Sequence, residues 1–137
     1  MTTTLGAIMT REPKTLRPDQ TLLDAMCFLR DHGVRHIPIV DADGRLEGVL
    51  TDRDVKRATP SALLSGQRQV WEEVVRGTPV AKVMTRDVVT AAPDTPLREG
   101  VRRFVEDRIG CLPVVEGARV VGIVTAHDLL KVMLEKV

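Results

Sequence analysis

Apolar and polar positions follow the same order twice along this chain. Each copy predicts a short apolar helix (residues 5–9 and 80–84), an extended piece (14–16 and 88–91) and a longer helix (21–32 and 96–108). Two strands (37–40 and 45–50; 112–115 and 119–124) and a closing helix (52–58 and 126–136) follow in each copy. The pattern therefore predicts two copies of one small unit. Because each copy is too small to bury its own apolar face, we expect the copies to pack on each other.

Short motifs repeat with the same spacing. Met9-Thr10-Arg11 returns 75 positions later as Met84-Thr85-Arg86, whereas Gly48-Val49-Leu50-Thr51-x-x-Asp54 returns only 74 positions later as Gly122-Ile123-Val124-Thr125-x-x-Asp128. The one-residue slip falls at Asp41-Ala42-Asp43-Gly44, which predicts a hairpin turn because insertions collect in surface turns. These spacings place the first motif at 1–58, a connector at 59–79 and the second motif at 80–137.

Local signals refine the predicted elements. Gly33 marks the end of the first long helix, and Thr78-Pro79 predicts a cap and first turn for the helix over 80–84. Pro38 and Pro113 interrupt two strands, which places both strands at sheet edges. In the connector, Pro60-Ser61 predicts a start, Ser65-Gly66 a break, and residues 67–76 an amphipathic helical segment in which Trp71 is a packing anchor.

Composition excludes several classes of function. Lys and Arg number 20 against 19 Asp and Glu, so bulk electrostatic capture of nucleic acid or of an anionic membrane is not expected. One Trp, two Phe and no Tyr give little surface for base stacking. No apolar run approaches the roughly 20 residues that span a bilayer, and the first ten residues lack a signal-peptide pattern. Cys27 and Cys111 lie in apolar stretches without metal-type spacing, which predicts reduced thiols in a cytoplasmic protein.

The repeated order resembles a CBS domain pair, or Bateman module. It begins with Met-Thr, continues with Ile37-Pro38-Ile39-Val40 and Leu112-Pro113-Val114-Val115, and ends with the two Thr-x-x-Asp motifs. Among such proteins the chain is similar to the small stand-alone type associated with acetoin utilisation. The resemblance implies an α+β fold of tandem β-α-β-β-α motifs, packed as a pseudo-twofold pair with two equivalent clefts. It also implies a regulatory role and binding of AMP, ADP, ATP or S-adenosylmethionine.

The Thr-x-x-Asp motifs carry the predicted ligand chemistry. Thr51 and Thr125 come where a strand ends and a helix begins, and the free N–H groups of a helix N-terminus suit a phosphate. By resemblance to the family, Asp54 and Asp128 hold the ribose hydroxyls, with Thr51 and Thr125 near the sugar or phosphate. The same letters also form a capping box, which needs no ligand.

The remaining candidate residues surround these motifs. The adenine is expected against Ile37 and Pro38 in one copy and Leu112 and Pro113 in the other, with backbone near Thr15 and Thr90 reading its edge; all are also ordinary core positions.

The candidates for phosphate contacts are basic side chains: Arg35, His36 and Arg53 in the first copy, Arg108 and His127 in the second. Because the resemblance implies clefts shared between the copies, the sequence leaves open which cleft Arg35 and His36 serve. The two sets differ, so the two sites are expected to differ in affinity. Arginines are most often solvated surface charges, which is the alternative here.

Two helices are apolar over more than one stripe. In the first long helix Leu22, Ala25, Met26 and Leu29 form one stripe while Leu23 and Cys27 begin another, and the last helix is similarly broad at Leu129, Leu130, Met133 and Leu134. This breadth favours a homodimer joined through helices. The alternative is that both stripes are used within one chain.

No catalytic pattern is present in the sequence. His32 and His36 have a metal-type spacing, but Gly33 separates them from a common helix face. Asp41-Ala42-Asp43-Gly44 lacks the later ligands of a calcium loop, and Walker A, GxGxxG and nucleophile-elbow motifs are missing. The sequence thus predicts a non-catalytic adenosyl-nucleotide sensor that requires no cofactor and signals through a conformational or dimer rearrangement. The alternative is a ligand-free interaction or oligomerisation module for an unidentified protein partner.

Overall fold

A computed structural model of the chain describes residues 3–60 and 68–137. In the first stretch the elements are α1 (Leu5–Ile8), β1 (Thr10–Arg11), α2 (Leu22–His32), β2 (His36–Val40), β3 (Leu46–Thr51) and α3 (Asp52–Ala58). In the second they are α4 (Arg68–Gly77), a 3₁₀ helix (Val80–Lys82), α5 (Leu97–Glu106), β4 (Cys111–Glu116), β5 (Arg119–Thr125) and α6 (Ala126–Lys136). The predicted break at Ser65-Gly66 lies outside the described residues.

The chain divides into two compact units that are not continuous in sequence. One comprises residues 15–42 and 47–87 and is named the Asp54 unit; the other comprises residues 1–14, 43–46 and 88–137 and is named the Asp128 unit. Each sequence motif therefore contributes its opening segment to the unit that holds the strands of the other motif.

The Asp54 unit is built on the sheet of β2 and β3. Its core consists of side chains from the sheet, the helices and the segment after α4: Leu16, Leu22, Ala25, Ile37, Ile39, Leu50, Val55, Val75, Val80 and Met84. Helix α4 contributes Val75, which is fully buried, and Trp71 packs against the same cluster. The prediction that Trp71 anchors the connector by packing is confirmed.

The Asp128 unit is built on an antiparallel sheet in the order β1-β5-β4. Strand β1 pairs with β5 so that Thr10 lies opposite Ile123 and Arg11 opposite Gly122. The buried core residues are Leu5, Leu112, Val114 and Val124. Since Leu5 and Thr10 come from the first sequence motif, the opening segment is an integral part of this unit.

Both proline-containing strands lie at sheet edges, as predicted. On the outer side of β2, Leu16 donates its N–H to the Pro38 carbonyl at 3.2 Å and accepts from Val40 at 2.9 Å. Ala91 makes the same pair of bonds to β4, at 3.1 and 2.8 Å. A proline is tolerated in these strands because its missing N–H removes no hydrogen bond from the pairing of β2 with β3 or of β4 with β5.

The predicted turn between the strands of the first motif is also confirmed. Gly44 adopts a φ of 81°, in the left-handed region that favours glycine. Its carbonyl accepts from Val120 N–H at 3.1 Å, and Leu46 N–H donates to the Ala118 carbonyl at 2.8 Å. Residues 43–46 are thereby held to β5 within the Asp128 unit.

The beginning of the segment after α4 differs from the prediction. Residues 80–82 form a 3₁₀ helix, and its cap is Pro79 rather than Thr78. Thr78 is used by other elements, because its N–H donates to the Val74 carbonyl at the end of α4 and its carbonyl accepts from Leu22 N–H, both at 3.0 Å.

The two long helices end differently. Gly33 terminates α2 in the left-handed conformation, with its N–H donated to the Leu29 carbonyl, as predicted. Helix α5 ends at Glu106, two residues before the predicted end. The reason is Arg108, which has a φ of 52° at the position that corresponds to Gly33 and so cannot continue the helix.

Candidate functional site

The Thr51-x-x-Asp54 motif forms the junction between β3 and α3. Thr51 N–H donates to Asp54 Oδ2 at 2.9 Å, and Asp54 N–H donates to Thr51 Oγ1 at 3.1 Å. These reciprocal bonds form a capping box and hold the carboxylate at the first turn of the helix. Both side chains remain partly exposed, so the carboxylate is accessible to a hydroxyl donor.

The Thr125-x-x-Asp128 motif forms the same junction between β5 and α6, but its carboxylate is more enclosed. Asp128 Oδ2 accepts from Thr125 N–H at 2.8 Å and from the Thr125 hydroxyl at 3.2 Å. Oδ1 lies 3.5 Å from the Thr10 hydroxyl, which donates to it. The Asp128 residue is only 6% exposed. The arrangement preorients this carboxylate through contacts with two strands.

Thr10 is a site residue that the sequence-based assignment missed. The sequence signal that marks Thr10 is the repeated Met-Thr-Arg motif. The corresponding Thr85 belongs to the Asp54 unit, where its backbone exchanges two 2.9 Å hydrogen bonds with Val49. In both units the repeated threonine therefore lies on a segment that pairs with the strand preceding the Thr-x-x-Asp helix.

A third Thr-x-x-Asp sequence in the chain provides an internal comparison. Thr21 caps α2, and its N–H donates to Asp24 Oδ2 at 2.9 Å while Asp24 N–H donates back at 3.3 Å. Asp24 is exposed on the helix surface and does not follow a strand of either sheet. Capping bonds alone therefore do not identify a ligand site, and Asp54 and Asp128 differ from Asp24 by their position at a strand end.

The predicted adenine-contacting side chains lie in the cores of the two units. Four of them are fully buried: Ile37, Pro38, Leu112 and Pro113. This burial matches the packing role that was the alternative for these positions. In this arrangement a purine would reach the backbone of these strands rather than their side chains.

Thr15 and Thr90 occupy matching places next to the proline strands. Thr15 is half-buried and Thr90 is exposed, and each directly precedes the residue whose N–H donates to the strand proline. Backbone groups at these two positions thus lie at the outer edge of β2 and β4. That these backbone groups read the edge of a base stays a prediction.

The basic candidates of the Asp54 unit gather at the start of α3. The Arg35 carbonyl accepts from Asp52 N–H at 3.0 Å, which brings the first residue of the helix beside the beginning of β2. His36 is half-buried there, and this burial is the main reason why its pKa is lowered. The Asp52 and Asp54 carboxylates raise the pKa, and the Arg35 charge lowers it. Arg35 and Arg53 are exposed. His36 is therefore close enough to the Asp54 carboxylate to sense its charge.

The Asp128 unit has a different set at the matching positions. Cys111 takes the place of His36 and lies opposite Thr125 in the β4–β5 register. The Cys111 thiol is buried, which raises its pKa to about 12 and keeps it neutral. His127 and Arg108 are both exposed. The structure thus brings Thr125, Asp128 and Cys111 together and leaves the two basic candidates on the surface.

The metal and membrane alternatives find no support in the described part of the chain. Residues 3–60 and 68–137 contain no group of three or more His, Cys, Asp or Glu side chains placed to hold a metal ion. His32 belongs to α2 and stacks on Phe28 with ring centroids 4.6 Å apart, while His36 opens β2. Over the same residues, no helix has both the length and the apolarity that crossing a bilayer would require.

The sequence matches the family model described as the CBS domain at residues 5–61 and again at residues 80–135. A CBS domain-containing protein of Bacillus subtilis is 34% identical over 121 residues, which cover 88% of this chain and 79% of that protein. Relatives that are named as enzymes are covered over only 21% to 24% of their own length. The similarity to those enzymes is therefore confined to a small part of each one.

Solved structures resemble the chain over its whole length. A Vibrio cholerae protein assigned to acetoin utilization superposes with a TM-score of 0.84 at 33% identity, covering 99% of this chain and 93% of that one. The CBS domain pair of protein MJ0100 superposes with a TM-score of 0.82 at 28% identity, covering 100% of both chains. That domain pair was solved in complex with 5′-methylthioadenosine and S-adenosyl-L-methionine.

Proposed function

The chain belongs to the CBS domain family, and we propose from this that it is a non-catalytic regulatory module that binds an adenosyl compound of the AMP, ADP, ATP or S-adenosylmethionine class. The proposed module consists of motif 1 at 1–58, the connector at 59–79 and motif 2 at 80–137. The observation that carries the proposal is the duplicated junction at which Asp54 and Asp128 present a carboxylate directly after a strand.

The chemistry of these junctions suits the sugar of a nucleoside. A carboxylate accepts hydrogen bonds from two neighbouring hydroxyls, and such charge-assisted bonds are stronger than neutral ones. The described bond to the Asp54 carboxylate uses Oδ2, while those to the Asp128 carboxylate engage both oxygens. The complex of the MJ0100 domain pair with two adenosyl compounds supports the same ligand class for this chain.

Calorimetric titration of the full chain with AMP, ATP and S-adenosylmethionine tests this proposal. Asp54→Ala and Asp128→Ala are each expected to remove one site, and Asp54→Asn and Asp128→Asn preserve the size of the side chain where the alanine variants fold poorly. Asp24→Ala is the matched control, because it removes an equivalent capping box and costs about 1 kcal/mol of stability without touching either junction. Unchanged binding in both junction variants would refute the assignment.

Thermal melting separates this proposal from a ligand-free interaction module. A compound that binds the native state raises the midpoint, by an amount that grows with its concentration above Kd. If none of the three compounds at millimolar concentration moves the midpoint, the interaction module is the better interpretation.

We further propose that the chain forms a homodimer through α6. Leu130, Met133 and Leu134 are 62%, 59% and 73% exposed on this helix, and Val105 on α5 is 72% exposed. Exposed apolar clusters of this kind mark interaction surfaces, and a second copy supplies an apolar face of the same composition. Sedimentation velocity is expected to give a dimer for the native chain and a monomer for Leu130→Glu/Leu134→Glu. Lys131→Glu, a charge change on the same helix, should leave the dimer intact.

A dimer also offers a means of signalling. A ligand shifts the equilibrium between two arrangements only by binding one of them better. Sedimentation with and without a bound adenosyl compound therefore tests whether ligand occupancy changes the dimer. The free thiols of Cys27 and Cys111 are compatible with the reducing cytoplasm as its location.

A further inference from the structure

The two proposed sites differ in charge at corresponding positions. Arg35 and His36 correspond to Gly110 and Cys111, and Arg53 corresponds to His127. The first set contains two permanent positive charges and one titratable ring. The second set contains no permanent positive charge.

In the Asp54 unit, a backbone hydrogen bond holds Arg35, and with it the start of β2, beside the junction. The 3.0 Å bond from Asp52 N–H to the Arg35 carbonyl joins the chain entering β2 to the start of α3. His36 is half-buried at this place and responds to the charges of Asp52 and Asp54. Arg53 lies inside the Thr-x-x-Asp motif and is exposed. Arg35, His36 and Arg53 are therefore the side chains close to this junction in the chain that can donate N–H groups to a phosphate.

In the Asp128 unit, the residues that correspond to Arg35 and His36 carry no charge. Cys111 is 9% exposed and pairs in register with Thr125, so a buried thiol lies where the other unit has an imidazole. A phosphate placed there would lose hydration without gaining an equivalent donor, which is unfavourable. A thioether or an unmodified ribose carries no such penalty. Arg108 and His127 are exposed, as Arg35 and Arg53 are, and His127 lies inside its Thr-x-x-Asp motif as Arg53 does; the contrast between the units therefore rests on Arg35 and His36 against Gly110 and Cys111.

We propose that the Asp54 site takes an adenosyl ligand that carries a phosphate, and that the Asp128 site takes one that lacks a phosphate, such as adenosine or a 5′-thioether of adenosine. This partition rests on the proposed function, because it presumes that each carboxylate holds a ribose. It assigns the choice of ligand class to Arg35 and His36 in one unit and to Cys111 in the other.

Titration calorimetry with AMP and adenosine tests the partition, with one site removed at a time. In Asp128→Asn, the remaining Asp54 site is expected to bind AMP at least about tenfold more tightly than adenosine. In Asp54→Asn, the remaining site is expected to bind adenosine at least as tightly as AMP. Adding Arg35→Gly/His36→Cys/Arg53→His to Asp128→Asn copies the set of the Asp128 unit into the Asp54 unit and should abolish its preference for AMP while retaining adenosine binding.

Two further variants keep the test decisive. Arg35→Gln/His36→Gln preserves side-chain size and is used if the glycine variant has a lowered melting temperature. Arg30→Gln removes an exposed charge from α2, where Arg30 pairs with Asp31 at 3.1 Å, and should leave the preference for AMP unchanged. Equal ratios of AMP to adenosine affinity at both sites, or a ratio unaffected by the Arg35/His36 variants, would overturn the partition while the proposed function stands. Absence of binding by any adenosyl compound would overturn both.

Discussion

The Asp54 unit and the Asp128 unit share a Thr-x-x-Asp junction but give its carboxylate different surroundings. Asp128 is 6% exposed and is contacted by hydroxyls from β1 and β5, whereas Asp54 is partly exposed beside His36 and Arg35. The same four-residue motif therefore yields an enclosed acceptor in one unit and a partly exposed one near Arg35 and His36 in the other. Local sequence determines the cap, and the neighbouring segments determine what the cap can bind.

The helices of the two units differ in a second way. In the Asp54 unit, α4 adds Val75 and Trp71 to the core around α2. In the Asp128 unit, α5 and α6 leave Val105, Leu130 and Leu134 largely exposed. The first unit uses the connector to complete its core, while the second presents apolar helix surface that is available to another copy.

The glycines that precede the two junctions offer the largest expected effect. A Cβ on Gly48 would lie 2.6 Å from the Thr85 carbonyl oxygen, a backbone atom held by the paired bonds between Thr85 and Val49. A Cβ on Gly122 would instead meet the side chain of Met9, which can change its rotamer. Gly48→Ala should therefore lower the free energy of unfolding by about 3 kcal/mol, against about 1 kcal/mol for Gly122→Ala.

Urea unfolding of the two variants measures this difference. Gly77→Ala is a suitable control, since a Cβ there meets no atom within 4 Å. Equal losses of unfolding free energy for Gly48→Ala and Gly122→Ala would contradict this expectation. They would mean that the Thr85 backbone moves away from the added Cβ as easily as the Met9 side chain does.

Much of the fold was predictable because its signals are local. Turn chemistry within a few residues determines the hairpin turn at Gly44 and the end of α2 at Gly33. An apolar helix face determines the packing of Trp71. The edge positions of Pro38 and Pro113 follow from the missing proline N–H.

The remaining features depend on contacts between distant segments. The pairing of β1 with β5 joins Thr10 to Ile123, and nothing in the periodicity near Thr10 specifies that partner. For the same reason, the enclosure of Asp128 by the Thr10 hydroxyl was not predicted. The helix over 96–108 was predicted too long because Arg108 adopts a left-handed conformation without the glycine that normally signals it.

The contrast between covered and uncovered helices predicts a second pair of effects. Val75 is fully buried and Val105 is 72% exposed, although both lie on helices. Val75→Ala should cost about 2 kcal/mol of unfolding free energy, since two buried methyl groups are lost. Val105→Ala should change it by less than about 0.5 kcal/mol, because alanine favours the helix slightly and little area is lost. Chemical denaturation at a concentration where the chain is monomeric provides the measurement; equal effects would contradict the proposed role of α4.

A smaller effect is expected from the hydroxyl that distinguishes Asp128. Thr10→Val keeps the shape of the side chain and removes the 3.5 Å bond to Oδ1. The bond is long, so the expected loss is about 0.5 kcal/mol. Thr85→Val is the matched variant in the Asp54 unit, where the described bonds of Thr85 to Val49 involve only its backbone, and should have less effect. A larger loss for Thr85→Val than for Thr10→Val in thermal or urea unfolding would reverse the comparison.

The pH dependence of stability should carry the smallest signal, and its direction follows from His36. Burial lowers the pKa of His36 below its ordinary value. Asp52 and Asp54 raise this pKa and Arg35 lowers it, and burial has the largest effect. Between this lowered pKa and the value of about 6.5 in the unfolded chain, the unfolded state binds more protons than the folded state. The free energy of unfolding should therefore fall as the pH decreases through about 6.5, and it should level off below the folded-state pKa.

Urea unfolding across this range, taken as the difference between the native chain and His36→Gln, isolates the contribution of this ring from that of the carboxylates. A difference that does not vary with pH would mean that the ring is as well solvated in the folded chain as in the unfolded one. The Asp54 unit would then present an open cationic surface at β2, and the half-buried position of His36 would no longer distinguish its junction from that of Asp128.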